Sequence, residues 1–219
     1  MGTENWNPPI NSEYFSDLEM QKLRLAIFIS GRGSNFQAIY NSIQNGYLNA
    51  EIGLVISNKK NCKGYRIAKD LGINREFISR SKYPSRQKFL QDLKDILLKH
   101  NINFIILAGY IRKLPLEIVQ EFYPRIINIH PSLLPNYGGK GYYGTKVYEM
   151  ILQDKQKYSG VTLHIVNEKY DDGPIIMQLK YPIGKSIDTK KLQNLSLQYQ
   201  WKLLPLALKL ISEFPEINP

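Results

Sequence analysis

The chain has 219 residues, 43% hydrophobic, 11% aromatic and 22% charged, with one cysteine, Cys62. That size suits one domain, or one with a small appendage, and the composition is globular and neither disordered nor fibrous. A single cysteine excludes an internal disulfide and favours a reducing compartment. The net charge is +10; the first 21 residues hold four acids and no Lys or Arg, so the remainder carries +14. Such a surface attracts nucleic acid, nucleotides, phosphorylated metabolites or polyglutamates without choosing among them.

Residues 1–22, with Pro8, Pro9 and no sustained period, read as a flexible or loosely docked extension. They lack the basic start and apolar stretch of a signal peptide, and their acids argue against a transit peptide. No apolar run reaches the roughly 18 residues that span a bilayer, so the expected setting is cytoplasmic and away from membranes.

A single domain is expected over 23–215. LRLAIFIS (23–30) reads as a buried strand, SNFQAIYNSIQ (34–44) as a helix, EIGLVIS (51–57) as a strand and KGYRIAKDLG (63–72) as a helix ending at Gly72. A long amphipathic helix over 85–100, a strand over 104–109, a short helix over 115–122 opened by proline, and a strand over 125–130 follow. This strand-helix alternation, with near-continuous Ile/Leu/Val runs, implies an α/β fold with a mostly parallel central sheet and helices on both faces. After Pro131 a glycine- and aromatic-rich loop (131–144) leads to a helix over 145–153. Two strands follow: 161–167, which alternates with one polar face, and 175–181. A final helix runs from about Thr189 to Phe214, interrupted near Pro205. The later strands look antiparallel, so the sheet is expected to be mixed.

Three segments could carry chemistry. GRGSN (31–35) lies between the first strand and first helix, where the N–H groups of Gly33, Ser34 and Asn35 can meet an anion. Phe36 stands where a dinucleotide fingerprint needs glycine, and Walker A is absent, so the segment reads as a monophosphate cradle, or else as a tight turn capped by Ser34 or Asn35. In N-I-H (128–130), Asn128 and His130 are two apart on a strand and face one side at its C-terminal end, suiting an oxyanion donor beside a general acid. His100 ends a helix, and His164 lies mid-strand, either packed or supporting a site. YDDGP (170–174) is either a turn or the source of a carboxylate that orients His130. No metal-ligand spacing, G-x-S-x-G elbow or C-x-x-C is present.

In order, ISGRGSN (29–35), LAGYIRKL (107–114), INIHPSLLP (127–135) and YDDGP (170–174) resemble the folate-dependent phosphoribosylglycinamide formyltransferases of purine biosynthesis, over about 23–215. The resemblance implies a Rossmann-like formyltransferase fold. It implies transfer of a formyl group from 10-formyltetrahydrofolate, as cosubstrate and without metal, to the amine of glycinamide ribonucleotide. It assigns Asn128, His130 and Asp171 to catalysis, and Gly33, Ser34 and Asn35 to the substrate phosphate. Arg86, Ile111, Arg112, Lys113, Leu114 and Asn128 border the folate, with Glu168, Lys169, Tyr170, Asp171 and Asp172 in a loop over the pterin. Gln200 stands where many members have a glutamate near the substrate, keeping an acceptor oxygen without the charge, and GGKGYYG (138–144) is a glycine-rich variant of the family loop. The partners implied are small molecules, not nucleic acid or membrane, with the chain a monomer or homodimer. Rival readings are a 10-formyltetrahydrofolate hydrolase, usually with an extra N-terminal domain, a sugar-nucleotide formyltransferase, and a non-catalytic basic nucleotide- or RNA-binding module. Methionyl-tRNA formyltransferase shares an Asn-x-His element but carries a further C-terminal domain, for which this chain is expected to have no room.

Overall fold

The computed structural model describes residues 22–213; the N-terminal extension up to residue 21 and the expected helix end at Phe214 lie outside the described residues. The elements are β1 (Leu23–Ile29), α1 (Ser34–Gln44), β2 (Ala50–Ser57), α2 (Lys63–Asp70), β3 (Arg75–Phe77), α3 (Arg86–Lys99), β4 (Phe104–Leu107), α4 (Leu116–Phe122), β5 (Ile126–His130), α5 (Lys146–Gln153), β6 (Tyr158–Ile165), β7 (Ile175–Pro182) and α6 (Thr189–Glu213). They build a seven-stranded sheet in the order β3-β2-β1-β4-β5-β6-β7. Pairing is parallel from β3 to β5 and antiparallel from β5 to β7, the mixed sheet anticipated from the sequence.

The apolar runs are explained by burial on both faces. Leu25, Ile27 and Ile29 of β1 pack with Phe36 and Ile39 of α1 and with Leu203, Leu204 and Leu208 of α6. Ala26 and Phe28 face the other way, toward Phe89, Leu93 and Leu97 of α3 and Ile118 of α4. A strand covered on both sides has no position for a solvated side chain, and each large side chain so buried contributes roughly 1.5–3 kcal/mol.

This order also places the site. From β1 the chain moves to β2 and β3 at one edge, then returns to β4 on the other side of β1 and continues outward. The connections leaving β1 and β4 therefore diverge, and a crevice opens at the carboxyl ends of these central strands.

Three details depart from the sequence reading. β3 was not anticipated, because Arg75–Phe77 is a three-residue, half-buried edge strand with no apolar run. β6 begins at Tyr158 rather than Val161, and its polar positions Thr162 and His164 are buried, not solvated. α6 is unbroken at Pro205. Proline there removes one helical hydrogen bond, whose acceptor would be the carbonyl of Trp201, an exposed residue. Leu203, Leu204, Ala207 and Leu208 are fully buried on the sheet, and this packing keeps the chain helical through the lost bond.

Candidate active site

Gly31 to Gly33 carry the chain from β1 into α1. Gly33 is left-handed (φ 75°), and no side chain caps the first turn, so Ser34 and Asn35 do not act as helix caps. The first N–H groups of a helix have no partner inside it and mark its electropositive end, which suits a phosphate. The loop is braced by α2: Gly64 N donates to Gly31 O at 3.0 Å, and a Cβ on Gly33 would lie 2.6 Å from Gly64 Cα. Two glycines are thus required where the backbones meet. Asn35 Nδ2 donates to Gln200 Oε1 at 2.9 Å, and Gln200 Nε2 donates to Ser196 Oγ at 3.1 Å, all buried. The oxygen of Gln200, a possible substrate contact in the sequence reading, accepts from Asn35 and ties α1 to α6, while Asn35 Oδ1 has no partner among the described residues.

Asn128 and His130 project from one face of β5, as their spacing predicts. Across the antiparallel ladder they oppose His164 and Thr162, so four polar residues form one patch. Thr162 Oγ1 donates to the Ser132 carbonyl at 2.7 Å and accepts from Leu134 N at 3.0 Å, fixing the loop after β5 above the patch. His164 Nδ1 lies 2.9 Å from the Ile165 carbonyl and so carries a proton; in the neutral ring Nε2 is then an acceptor. Asn128 Nδ2 meets that acceptor at 3.0 Å and Asp171 Oδ1 at 3.2 Å, which fixes which end of the amide is the donor. His130 Nε2 donates to the Tyr137 carbonyl at 2.8 Å, and Nδ1 lies 3.5 Å from Asp171 Oδ1. Both its nitrogens face oxygen acceptors.

Asp171 closes the constellation from the β6–β7 loop. Its backbone is left-handed (φ 51°), and its Oδ2 accepts from Gly139 N at 3.0 Å. A non-glycine residue in that region is held by its surroundings and costs of order 1 kcal/mol, a feature that collects at functional sites. Burial pushes the Asp171 carboxyl up, but the hydrogen bond and charge of His130, the adjacent His164 ring and the Gly139 N–H outweigh it and hold the group well below its ordinary range. Gly173 is needed for the loop to reach this position, since any Cβ there would overlap the Ile165 carbonyl.

The crevice is a trough of three cavities that share Tyr110. The first, about 420 Å³, brings together Gly33, Ser34, Asn35, Ile111, Asn128, His130, Tyr170, Asp171 and Gln200. Arg32 and Lys140 also line it and were not anticipated. The second, about 540 Å³, is lined by Arg86, Arg112, Lys113 and Leu114, together with Arg80. The third, about 70 Å³, takes in Lys169, Tyr170, Asp171, His164 and Asn128. Glu168 and Asp172 line none of these three; Asp172 pairs with Lys169 at 3.5 Å on the surface. Ser30 Oγ donates to Asn58 Oδ1 at 2.6 Å and accepts from Ile111 N at 3.0 Å, joining the loop after β4 to the end of β1. His164 was left open between packing and support; the register that sets it opposite Asn128 depends on β5 and β6 being antiparallel neighbours, which no local motif states.

The loop at Gly33–Asn35 and the Asn128–His130–Asp171 constellation meet at the switch point of a mixed α/β sheet, and the chain belongs to the formyl transferase family, whose model matches residues 23–208. Within that family it is similar to a chloroplastic phosphoribosylglycinamide formyltransferase of Arabidopsis thaliana, 43% identical over 74% of this chain and 56% of the relative. It is also similar to the phosphoribosylglycinamide formyltransferase of Haemophilus influenzae, 32% identical over 87% of each chain. The solved structure of glycinamide ribonucleotide transformylase 1 from Symbiobacterium toebii superposes with a TM-score of 0.81, at 31% identity and 88% coverage of both chains. The chain thus spans only about half the length of the plant relative and most of the bacterial ones.

Proposed function

We propose that the chain transfers the formyl group of 10-formyltetrahydrofolate to the amine of 5'-phosphoribosylglycinamide, giving the N-formyl ribonucleotide and tetrahydrofolate, in purine biosynthesis. The observation that carries the proposal is that one trough runs from the loop at Gly33–Asn35, past Asn128, His130 and Asp171, to the basic end at Arg86, Arg112 and Lys113. A phosphorylated acceptor and an anionic folate then meet at the catalytic trio.

In this reading the loop N–H groups hold the phosphate. The amine attacks the formyl carbon; the new C–N bond forms, the bond to N10 of the folate breaks, and a proton passes from the amine to N10. Negative charge grows on the formyl oxygen meanwhile. His130 Nε2–H, now on the Tyr137 carbonyl, and the Asn128 N–H, now 3.2 Å from Asp171, are the donors placed to meet it. A well-placed donor of this kind is worth about 2.7–4 kcal/mol. Asp171 stays ionised, orients His130 and, through water, helps relay the amine proton on to N10.

Tyr170 and Lys169 cover the pterin end, with Lys113 lying 5.6 Å over the Tyr170 ring. Only small-molecule partners and a cytoplasmic site of action are proposed. Among the described residues no helix is long and apolar enough to cross a membrane.

The test is to mix the protein with 10-formyltetrahydrofolate, with and without the ribonucleotide, and follow the deformylated folate by absorbance. Turnover that requires the ribonucleotide supports the transferase. Folate loss without it means a hydrolase, and no turnover in either case rejects the reaction.

A further inference from the structure

The basic end of the trough contains an ion pair that the proposed reaction does not use. Arg86, at the first turn of α3, is held by Glu117, in the first turn of α4, through two parallel hydrogen bonds of 2.7 Å. The groove beside it is lined by Arg80, Arg86, Arg112 and Lys113 and, among the described residues, by no Asp or Glu. A guanidinium gripped at both donors by a carboxylate is the arrangement in which arginine recognises a ligand carboxylate. Arg86 thus already wears the partner that a groove of this charge is suited to recruit.

The geometry points to Glu117 as a specificity-determining residue: an internal carboxylate that occupies Arg86 and must be displaced when the carboxylate tail of the folate enters the groove. The inference rests on the proposed cosubstrate, whose aminobenzoyl-glutamate end carries two carboxylates. Both partners are substantially solvent-exposed, with 57% of the Arg86 and 35% of the Glu117 side chain accessible, so exchange is feasible and screening keeps the pair weak. The hydrogen bonds from Arg86 hold the Glu117 carboxyl below its ordinary range, so the competitor is an anion at neutral pH. Glu117 consequently lowers the affinity that Arg86 gives a charged tail and leaves an uncharged tail unaffected.

A purely structural role, clamping α3 to α4, is the alternative. The same two helices are joined by Lys94 and Glu121, 2.6 Å apart and away from the groove lining, which provides the control. The experiment measures the dissociation constant of tetrahydrofolate by calorimetry, and KM for 10-formyltetrahydrofolate, in the full chain and in Glu117→Gln, Glu121→Gln and Glu117→Gln/Arg86→Ala. Each is repeated with the folate whose tail carboxylates are capped as amides. The expected result is that Glu117→Gln tightens the free acid about three- to fivefold with kcat unchanged, leaves the diamide unaltered, and loses its effect in the double variant; Glu121→Gln changes neither. Unchanged or weaker binding of the free acid by Glu117→Gln, or an equal change for acid and diamide, overturns the role of Glu117 while leaving formyl transfer intact. If the wild type neither binds tetrahydrofolate nor turns over its formyl derivative, the cosubstrate itself is wrong and both readings fall.

Discussion

Replacing Gly64 by alanine tests whether the phosphate loop is placed by its contact with α2. An added Cβ would lie 2.7 Å from Ile29 Cδ1, 2.8 Å from Gly33 Cα and 3.1 Å from Gly33 N. Ile29 is fully buried and Gly33 is backbone held at φ 75°, so neither side yields freely. Restoring ordinary contact moves the loop by several tenths of an ångström or more, at a cost of about 1–3 kcal/mol. In a chain of this size that lowers Tm by roughly 2–12 °C. The larger effect falls on the ribonucleotide: loss of one charged hydrogen bond, worth about 1.5–3 kcal/mol, raises its KM roughly tenfold to a hundredfold. The KM for the folate, bound at the other end, changes little. Steady-state kinetics with each substrate varied, beside thermal denaturation, reads both effects. Gly184→Ala is the control, since its Cβ would meet nothing within 4 Å. A Gly64→Ala protein whose ribonucleotide KM stays within about twofold of wild type, whatever its Tm, refutes the reasoning.

Other consequences follow from the same geometry. His164→Ala frees the Asn128 amide to turn, so kcat should fall about ten- to a hundredfold with little change in either KM; a KM effect alone would reduce His164 to packing. Gln200→Ala leaves the buried Asn35 amide without its partner. It should cost about 1–3 kcal/mol in denaturant unfolding and weaken the ribonucleotide but not the folate. Asp171, held below its ordinary value of 3.8, contributes stability that is fully present above that value and is lost as pH falls through the lower folded value. The Tm gap between wild type and Asp171→Asn should therefore be widest above about pH 4 and shrink in stronger acid, and a gap that does not depend on pH would contradict this assignment.

Much of this was legible in the residues themselves, for identifiable reasons. The buried strands announce themselves because both faces of a parallel sheet exclude polar side chains, as in LRLAIFI, and the helix following GRGSN could be bounded at Ser34 because the glycines interrupt both neighbours. Asn128 and His130 share a face by the two-residue period alone. What was not legible depends on partners distant in sequence. His164 acquires its meaning only from the β5–β6 register, Gly64 from the approach of α2 to the loop, and the occupied oxygen of Gln200 from Asn35, 165 residues away. Pro205 misled because a local rule for helices was overridden by the packing of α6 on the sheet.

The most direct test of the account compares His130→Ala with wild type in single-turnover formyl transfer, alongside equilibrium binding of both substrates. If His130 donates to the charge that develops on the formyl oxygen, the chemical step slows by about a hundred- to a thousandfold while both dissociation constants change by less than about threefold. A variant that loses binding as much as rate, or that keeps its rate, would contradict the assignment of this histidine to the transition state.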